Sequence, residues 1–175
     1  MPRFDLAVLG GGPGGYVAAI RGAQLGQKVC IIDKDKLGGV CLNWGCIPTK
    51  ALLKNAEVYN LIKHSEKYGI KVEKFKVDFK RNVKRSRDVS MRLSKGIEFL
   101  MKKNKITHIK GTGTLKSQNS ISVIEGKKRQ NIDAKKIIIA TGARPRSFPG
   151  MKFDGNRIIS SKEAMMLETA PKQMV

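Results

Sequence analysis

"FDLAVLGGGPGGYVAAIRGAQLGQKVCIIDKD", residues 4–35, places a strand, a glycine turn, a helix and a second strand in that order. Leu6 to Leu9 is a short apolar run of the kind that suits a parallel strand buried on both faces. Gly10, Gly12 and Gly15 follow as G-x-G-x-x-G. Val17, Ala18, Ile20, Ala23 and Leu25 then mark a helix ending near Gly26, and Val29 to Ile32 reads as a second buried strand closed by Asp33. Gly10 permits the tight strand-to-helix turn. Gly12 lets the backbone approach a pyrophosphate at the helix N-terminus, where free N–H groups and the helix dipole favour negative charge. Gly15 lets helix and strand pack closely. Asp33, 23 positions after Gly10, can accept hydrogen bonds from ribose hydroxyls. A glycine turn alone is weak evidence; the ordered strand, helix, strand and acid make it a site for an ADP-containing dinucleotide. NAD and FAD share that half, so the motif does not choose between them.

At 175 residues the chain is long enough for one well-cored domain and short for two. Hydrophobic content of 41% and charged content of 28% are those of an ordinary globular protein. The charge is not ordinary: 35 Lys and Arg oppose 14 Asp and Glu, formally +21, with much of the excess between Lys54 and Lys110. Such a surface attracts polyanions. These cations alternate with apolar residues and lack interleaved stacking aromatics, which favours a solvated basic face and no specific nucleic acid. A basic polyanion-binding module stays open as the alternative of another class. No stretch is long and apolar enough for a bilayer, so no membrane association is expected. The opening "MPRFDLAVLGGG" enters a strand with no leader, from which a cytoplasmic location is expected.

Two of the three cysteines stand in "GGVCLNWGCIPTK", residues 38–50. A structural zinc site needs four ligands, and the other candidates are Cys30, His64 and His108. Cys30 falls inside the second strand as a small core hydrophobe, and both histidines are isolated, so no metal is expected. A structural staple between Cys41 and Cys46 would close too short a loop to remove much unfolded-state entropy. A redox pair fits better. "CIPTKALLKNAEVYNLIK" reads as a helix with Pro48 in its first turn and Leu52, Ala56, Tyr59 and Ile62 at helical spacing. Cys46 thus lies at a helix N-terminus with Lys50 one turn on, and both features favour a thiolate. Such a pair needs a two-electron carrier beside it, and a flavin suits the dinucleotide site.

The segment "GGVCLNWGCIPTKALL" resembles the redox-disulfide motif of the class I pyridine nucleotide–disulfide oxidoreductases, most of all their dihydrolipoamide dehydrogenase branch. The mercuric reductases come near, and a mercuric-reductase-like or other disulfide reductase is the alternative within the family. The resemblance implies an α/β fold, a Rossmann-like FAD-binding domain with a parallel sheet and a β-meander. It implies FAD against a Cys41–Cys46 disulfide. On that analogy Cys41 is the interchange thiol that meets a dithiol substrate. Cys46 is the thiol beside the flavin ring, able to make a charge-transfer contact, and Lys50 lies near the flavin's reactive edge. Gly39 and Val40 belong to the cofactor-contacting turn. Two positions depart from the family: Asp33 where most members have Glu, and Val40 where Thr is usual. FAD binding is expected to tolerate both.

Farther on, "KRSRDVSMRLSKGIEFLMKK", residues 84–103, carries Val89, Leu93, Ile97 and Leu100 on one helical stripe and reads as a surface helix. Short alternating strands broken by Gly, Asn and Ser then suggest the meander, followed by a buried parallel strand from Lys136 to Ala140. Gly113, in "GTG", would by itself read as a turn glycine; the resemblance places its backbone at the adenine. Thr141 and Gly142, in "ATGARP", correspond to a turn that closes over the flavin nucleotide. The expected organisation is a FAD-binding domain with a redox-active disulfide over residues 1–150 and a tail, 151–175, leading toward an NAD-binding domain absent here. The full-length parent of such a chain would use NAD, oxidise dihydrolipoamide to lipoamide, act on lipoyl groups of 2-oxoacid dehydrogenase complexes and form a homodimer. The chain alone is expected to lack NAD-linked turnover.

Overall fold

Strand β1 (Arg3–Leu9) lies at the centre of the sheet, and its central position follows from its composition, because Leu6 through Leu9 carry no side chain that asks for water. The computed structural model describes residues 3–175. Helix α1 (Pro13–Gln24) returns the chain to β2 (Val29–Asp33), which pairs parallel to β1 in the register Ala7 to Cys30 and Leu9 to Ile32. Then come α2 (Gly39–Trp44), α3 (Cys46–Lys63), a 3-10 turn (Ser65–Tyr68) and α4 (Phe79–Lys103). Strands β3 (Thr107–Lys110), β4 (Thr112–Ser117), β5 (Ser120–Glu125) and β6 (Lys128–Ile139) follow, with a short α5 (Ser161–Ala164) near the end. The sheet order is β3-β2-β1-β6-β5-β4; β3, β2, β1 and β6 are mutually parallel, and β4, β5 and β6 form the antiparallel meander. This is the α/β architecture of a Rossmann-like nucleotide-binding domain.

Two compact units divide the chain: residues 1–43 with 92–144, and residues 44–91 with 145–175. In the first, one face of the sheet carries Leu6, Val8 and Val29 beneath α1. A Cβ on Gly22 of α1 would lie 2.8 Å from Leu6 and 3.3 Å from Val29, so the helix packs at glycine distance. The other face carries Ala7, Leu9, Cys30, Ile32 and Ile109, which cluster with Ile121, Val123, Ile132 and Ala134 of the meander. The meander therefore curls back over the parallel strands as the second layer. Gly113 marks that closure. It lies within β4, paired with Val123, and a Cβ there would meet Leu9 at 2.5 Å and Ile32 at 3.3 Å. It is a close-packing glycine of a strand and not a turn glycine.

Strand β6 differs from the sequence expectation in both length and burial. One continuous strand pairs antiparallel with β5 up to Asp133 and parallel with β1 from that residue on. Ile138 and Ile139 are 38% and 60% exposed, so the "KIII" run is not buried on both faces, and Ala140 lies beyond the strand end. The apolar run signals a strand; it does not reveal that beyond Asp133 the strand pairs with β1 and no longer with β5. Asn119, at the start of β5, extends its side-chain amide to the Ala134 and Lys135 carbonyls, capping the point where the meander stops.

In the second unit, Arg85 of α4 donates to the Ala51 carbonyl at 3.2 Å and the Asn55 amide oxygen at 3.1 Å, lacing α4 to α3. The buried residues of α3 are Pro48 and Ala51; Ala56 and Tyr59 are exposed, so the predicted stripe is not its packed face. The stripe predicted for α4 is displaced likewise: Leu93 is 42% exposed, while Val83, Ser86, Ser90, Ser94, Ile97 and Met101 are buried. Three serines four residues apart occupy a face that polarity assigns to solvent. Their small size allows close approach, and Ser86 returns its hydroxyl to the Val83 carbonyl at 2.7 Å. Among the described residues, no helix is long and apolar enough to cross a membrane.

Ile32 is wholly buried where the two layers meet. Ile32→Ala is expected to cost about 2–5 kcal/mol in urea unfolding, whereas Ile139→Ala, on the exposed end of β6, should stay within about 0.5 kcal/mol.

Candidate functional site

The carboxyl ends of β1, β2 and β6 meet around the glycine turn. Gly10 has φ +111°, and a Cβ on it would sit 2.1 Å from the Ala140 carbonyl oxygen. A Cβ on Gly15 would lie 1.8 Å from the Gly10 carbonyl oxygen. No side chain other than hydrogen fits either position, and α1 therefore starts in backbone contact with the strand that feeds it. Gly12 is the N-cap of α1, with Pro13 as the first helical residue and no side chain bonded across the cap. The amides of that first turn are left to an external anion, which the helix dipole favours.

Two further elements close on this turn. The Gly38 N–H donates to the Gly11 carbonyl at 2.8 Å. Gly39, the first residue of α2, has φ +58°, and a Cβ on it would be 2.6 Å from the Gly12 Cα. Asp33, at the end of β2, accepts from the Gly11 N–H through one carboxylate oxygen and from the Asp35 N–H through the other at 2.7 Å. Each oxygen retains a lone pair for a further donor. Gly10, Gly12, Gly15, Asp33 and Gly39 are thus brought into one cradle. Thr141 and Gly142 follow directly from the Ala140 that abuts Gly10; both are exposed, and Gly142 has φ +71°. Gly113 packs beneath this end of the sheet against Leu9 and Ile32.

Three positions of the cradle escape sequence reasoning. Gly11 sits so close to Leu37 and Asp33 that a Cβ would meet them at 2.7 and 3.0 Å; the run of three glycines is its only signal. Ala140 presents its backbone to Gly10. Asn43 is buried; its amide donates to the Leu37 and Gly39 carbonyls at 3.1 and 3.0 Å, and its oxygen accepts the Ser94 hydroxyl at 2.9 Å. That network fixes Gly39 from behind, and nothing in the local pattern distinguishes Asn43 from a solvated loop asparagine.

The cysteines occupy three environments. Cys30 is fully buried in β2, and burial pushes its thiol up to about 12. Val40 is exposed and Cys41 half-buried, both in α2. Cys46 is exposed and opens α3, with Gly45 as N-cap and no side chain bonded across that cap. Lys50 is exposed one turn further along the helix. His64 closes α3, its Nδ1 at 2.9 Å from the Asn60 carbonyl, and His108 lies in β3; neither belongs to the cradle.

Comparison with known proteins agrees with this geometry. A family model described as pyridine nucleotide-disulphide oxidoreductase matches residues 4–175. A dihydrolipoyl dehydrogenase of Chlorobaculum parvum is 48% identical over 174 residues, covering 99% of this chain and 37% of that protein. The mitochondrial dihydrolipoyl dehydrogenase of Schizosaccharomyces pombe is 49% identical, covering 98% of this chain and 34% of that protein. That of Geobacillus stearothermophilus is 48% identical, with 98% and 36% covered. The chain spans a little over a third of the length of these relatives.

Two outcomes follow from the cradle and from Cys30. Gly39→Ala adds a left-handed Cβ and pushes the Gly12 backbone, so ADP affinity measured by calorimetry should fall by about tenfold or more. Cys30 should stay unalkylated by iodoacetamide at pH 8 until the chain is unfolded, because its folded thiol is protonated and enclosed. Its ordinary value is 9.0 and its folded value about 12, so its contribution to stability is complete below the first and is lost as pH rises toward the second. Thermal unfolding of Cys30→Ala against the parent between pH 8 and 11 checks that sign: the gap should narrow as pH rises.

Proposed function

The chain belongs to the pyridine nucleotide-disulphide oxidoreductase family, and from that membership we propose that it is the FAD- and disulfide-bearing part of a dihydrolipoyl dehydrogenase. One observation carries the reading. Gly39 abuts the Gly12 backbone at the uncapped start of α1, and the same segment delivers Cys41 and Cys46 within seven residues. A pyrophosphate cradle and a dithiol pair are thereby set on one short piece of chain.

The residues suit FAD, because a Cβ at Gly12 would meet nothing nearer than the Gly39 Cα at 3.8 Å, which leaves that side of the turn open to a phosphate, and the α1 amides have no side-chain cap. In this proposal those amides and the Gly39 turn hold the pyrophosphate, and Asp33 accepts from ribose hydroxyls. Gly10 and Gly15 keep the turn tight enough to do so. Val40, Lys50, Gly113, Thr141 and Gly142 complete the cofactor contacts. The chemistry that FAD supplies when bound is two-electron acceptance, which returns the dithiol to a disulfide.

The thiol chemistry belongs to this chain's own residues. Cys41 and Cys46 form the disulfide. A thiolate of dihydrolipoamide attacks the Cys41 sulfur, the Cys41–Cys46 bond breaks, and its electron pair leaves on Cys46 as thiolate. The second dihydrolipoamide thiol, deprotonated, then attacks its neighbour in the mixed disulfide, forming lipoamide and releasing Cys41. The start of α3 favours the leaving thiolate through its unbonded amides. In the complete protein, lipoyl groups of 2-oxoacid dehydrogenase complexes are the substrate, NAD is the final acceptor, and a homodimer is the assembly. Residues 1–150 form the FAD-binding domain, and 151–175 lead toward the NAD-binding domain.

The test uses the purified chain, FAD and one equivalent of dihydrolipoamide without oxygen. Retention of flavin through gel filtration, with about one lipoamide formed per chain, is the expected result; Cys41→Ser and Cys46→Ser should each retain flavin and form none. Failure to retain FAD, or lipoamide formation that survives both substitutions, would overturn the proposal.

A further inference from the structure

Groups distant in sequence hold the Gly11 peptide from both ends. Its N–H donates to one oxygen of the Asp33 carboxylate, and its carbonyl accepts the Gly38 N–H at 2.8 Å. Gly38 leads straight into Gly39, whose Cβ would stand 2.6 Å from the Gly12 Cα. One peptide therefore joins the carboxylate at the end of β2 to the turn that faces the start of α1. All of these residues belong to the first unit.

Asp33 is itself firmly placed. Its carbonyl accepts the Gly111 N–H at 2.9 Å, and the Ile32 carbonyl accepts the Gly10 N–H at 2.8 Å, so its main chain is fixed in the sheet. Its second carboxylate oxygen takes the Asp35 N–H at 2.7 Å, which sets the plane of the group. The side chains of Asp33 and Leu37 also fill the space beside Gly11, where a Cβ would meet them at 3.0 and 2.7 Å. A carboxylate accepts more strongly than a carbonyl, which makes the bond to Gly11 an effective anchor. Asn43 shapes the Gly38–Gly39 turn from behind, through the Leu37 and Gly39 carbonyls. The link forward, toward the glycine turn of β1, runs through Gly11.

Resting on the cradle of the proposed function, we infer that Asp33 is a positioning residue for the pyrophosphate, beyond its part as an acceptor for ribose. It acts through the Gly11 peptide, locking it so that the Gly39 turn and the first amides of α1 face one anion together. Asp33 touches no phosphate in this scheme. Without the lock, the Gly11 peptide and the turn bonded to it shift off the end of β2. The fraction of chains with both anion-facing parts in place then falls, and apparent affinity falls with it. The sign of the effect separates this role from the charge of the carboxylate. Coulomb repulsion alone makes removal of Asp33 favour a bound phosphate, whereas loss of the lock disfavours it. An acceptor for ribose alone has no effect on an anion that carries no ribose.

Inorganic pyrophosphate is therefore the probe, titrated by calorimetry into the parent chain and its variants, with ADP as the reference ligand. The basic surface attracts anions as well, so the binding lost in Gly39→Ala, which crowds the turn, defines the share of the cradle. Asp33→Ala is expected to weaken that share about fivefold. Asp33→Asn should weaken it about threefold, because its amide oxygen still accepts an N–H group while its nitrogen accepts none. That variant keeps the shape of the side chain and serves where Asp33→Ala does not fold. In the Gly39→Ala chain, Asp33→Ala should change nothing further. Pyrophosphate affinity unchanged or raised in either folded Asp33 variant overturns the inference. So does a parent that binds ADP but no pyrophosphate, or one whose pyrophosphate binding survives Gly39→Ala intact; each of these leaves the proposed function standing. A parent that binds neither ADP nor pyrophosphate overturns the proposed function, and this inference falls with it.

Discussion

Backbone presses on backbone at the end of β1. The Gly10 carbonyl stands where a Cβ of Gly15 would be, and the Ala140 carbonyl where a Cβ of Gly10 would be. Because three stretches of main chain meet there without side chains between them, α1 must leave β1 at one angle, and the end of β6 must lie beside it. The consequences run outward. At its far end α1 reaches Leu6 and Val29 through Gly22, again at glycine distance. Its first-turn amides are aimed over the carboxyl ends of the parallel strands, where ligands of such sheets bind. The cradle is thus a by-product of helix–strand packing, and it needs only Gly39 and Asp33 to complete it.

The parts legible in the sequence were those whose physics is local. Glycine spacing, a strand-length apolar run and a terminal acid define the βαβ unit over residues 4–35, and the observed elements match it closely. The helix over Cys46–Lys63 was legible as a helix, although its apolar period did not mark its packed face, which carries Pro48 and Ala51. The family followed from the cysteine motif, and the family model matched over residues 4–175 agrees with it. The misreadings share one cause: a partner remote in sequence decided the outcome. Ser94 is buried with its hydroxyl on Asn43, 51 positions away, and Ser86 and Ser90 are buried on the same face of α4, which polarity does not foretell. Ile138 and Ile139 look like core and stay exposed, on the half of β6 that pairs with β1 and not with β5. Asn43 organises the α2 turn while its oxygen takes the hydroxyl of Ser94, 51 positions away, from a position that no pattern marks.

The surplus of positive charge finds few partners inside the molecule. Among the described residues the ion pairs are Lys54–Glu57, Lys80–Glu168 and Lys135–Asp5, all at least partly solvated. In the Lys135 pair the ammonium, with a Lys28 amide, holds the Asp5 carboxyl below the usual carboxylate range. The outward face of α4, with Lys84, Arg92, Lys95 and Lys102 exposed, is left to water and salt. Self-repulsion of this kind weakens compact structure at low ionic strength and is screened within about 10 Å at ordinary salt. The hydrophobic layers therefore carry the fold, and the charge governs what the surface attracts.

Strand β6 belongs to two pairings at once, antiparallel before Asp133 and parallel after it. Ile132 and Ala134, on either side of the change, both point into the core. Inserting or deleting one residue anywhere in β6 would turn one of these sets outward, so length variation cannot be absorbed there. It can be absorbed in the turn around Gly126, where a Cβ would meet nothing, whereas the turn at Asn119 is tied to β6 by that residue's bonds to Ala134 and Lys135. A lineage carrying this fold is therefore free to lengthen or shorten the Gly126 tip, but the spacing from Lys128 to the Ala140 carbonyl behind Gly10 is a fixed ruler. The meander, which holds none of the cradle's glycines, inherits its permitted lengths from the site at the other end of the strand.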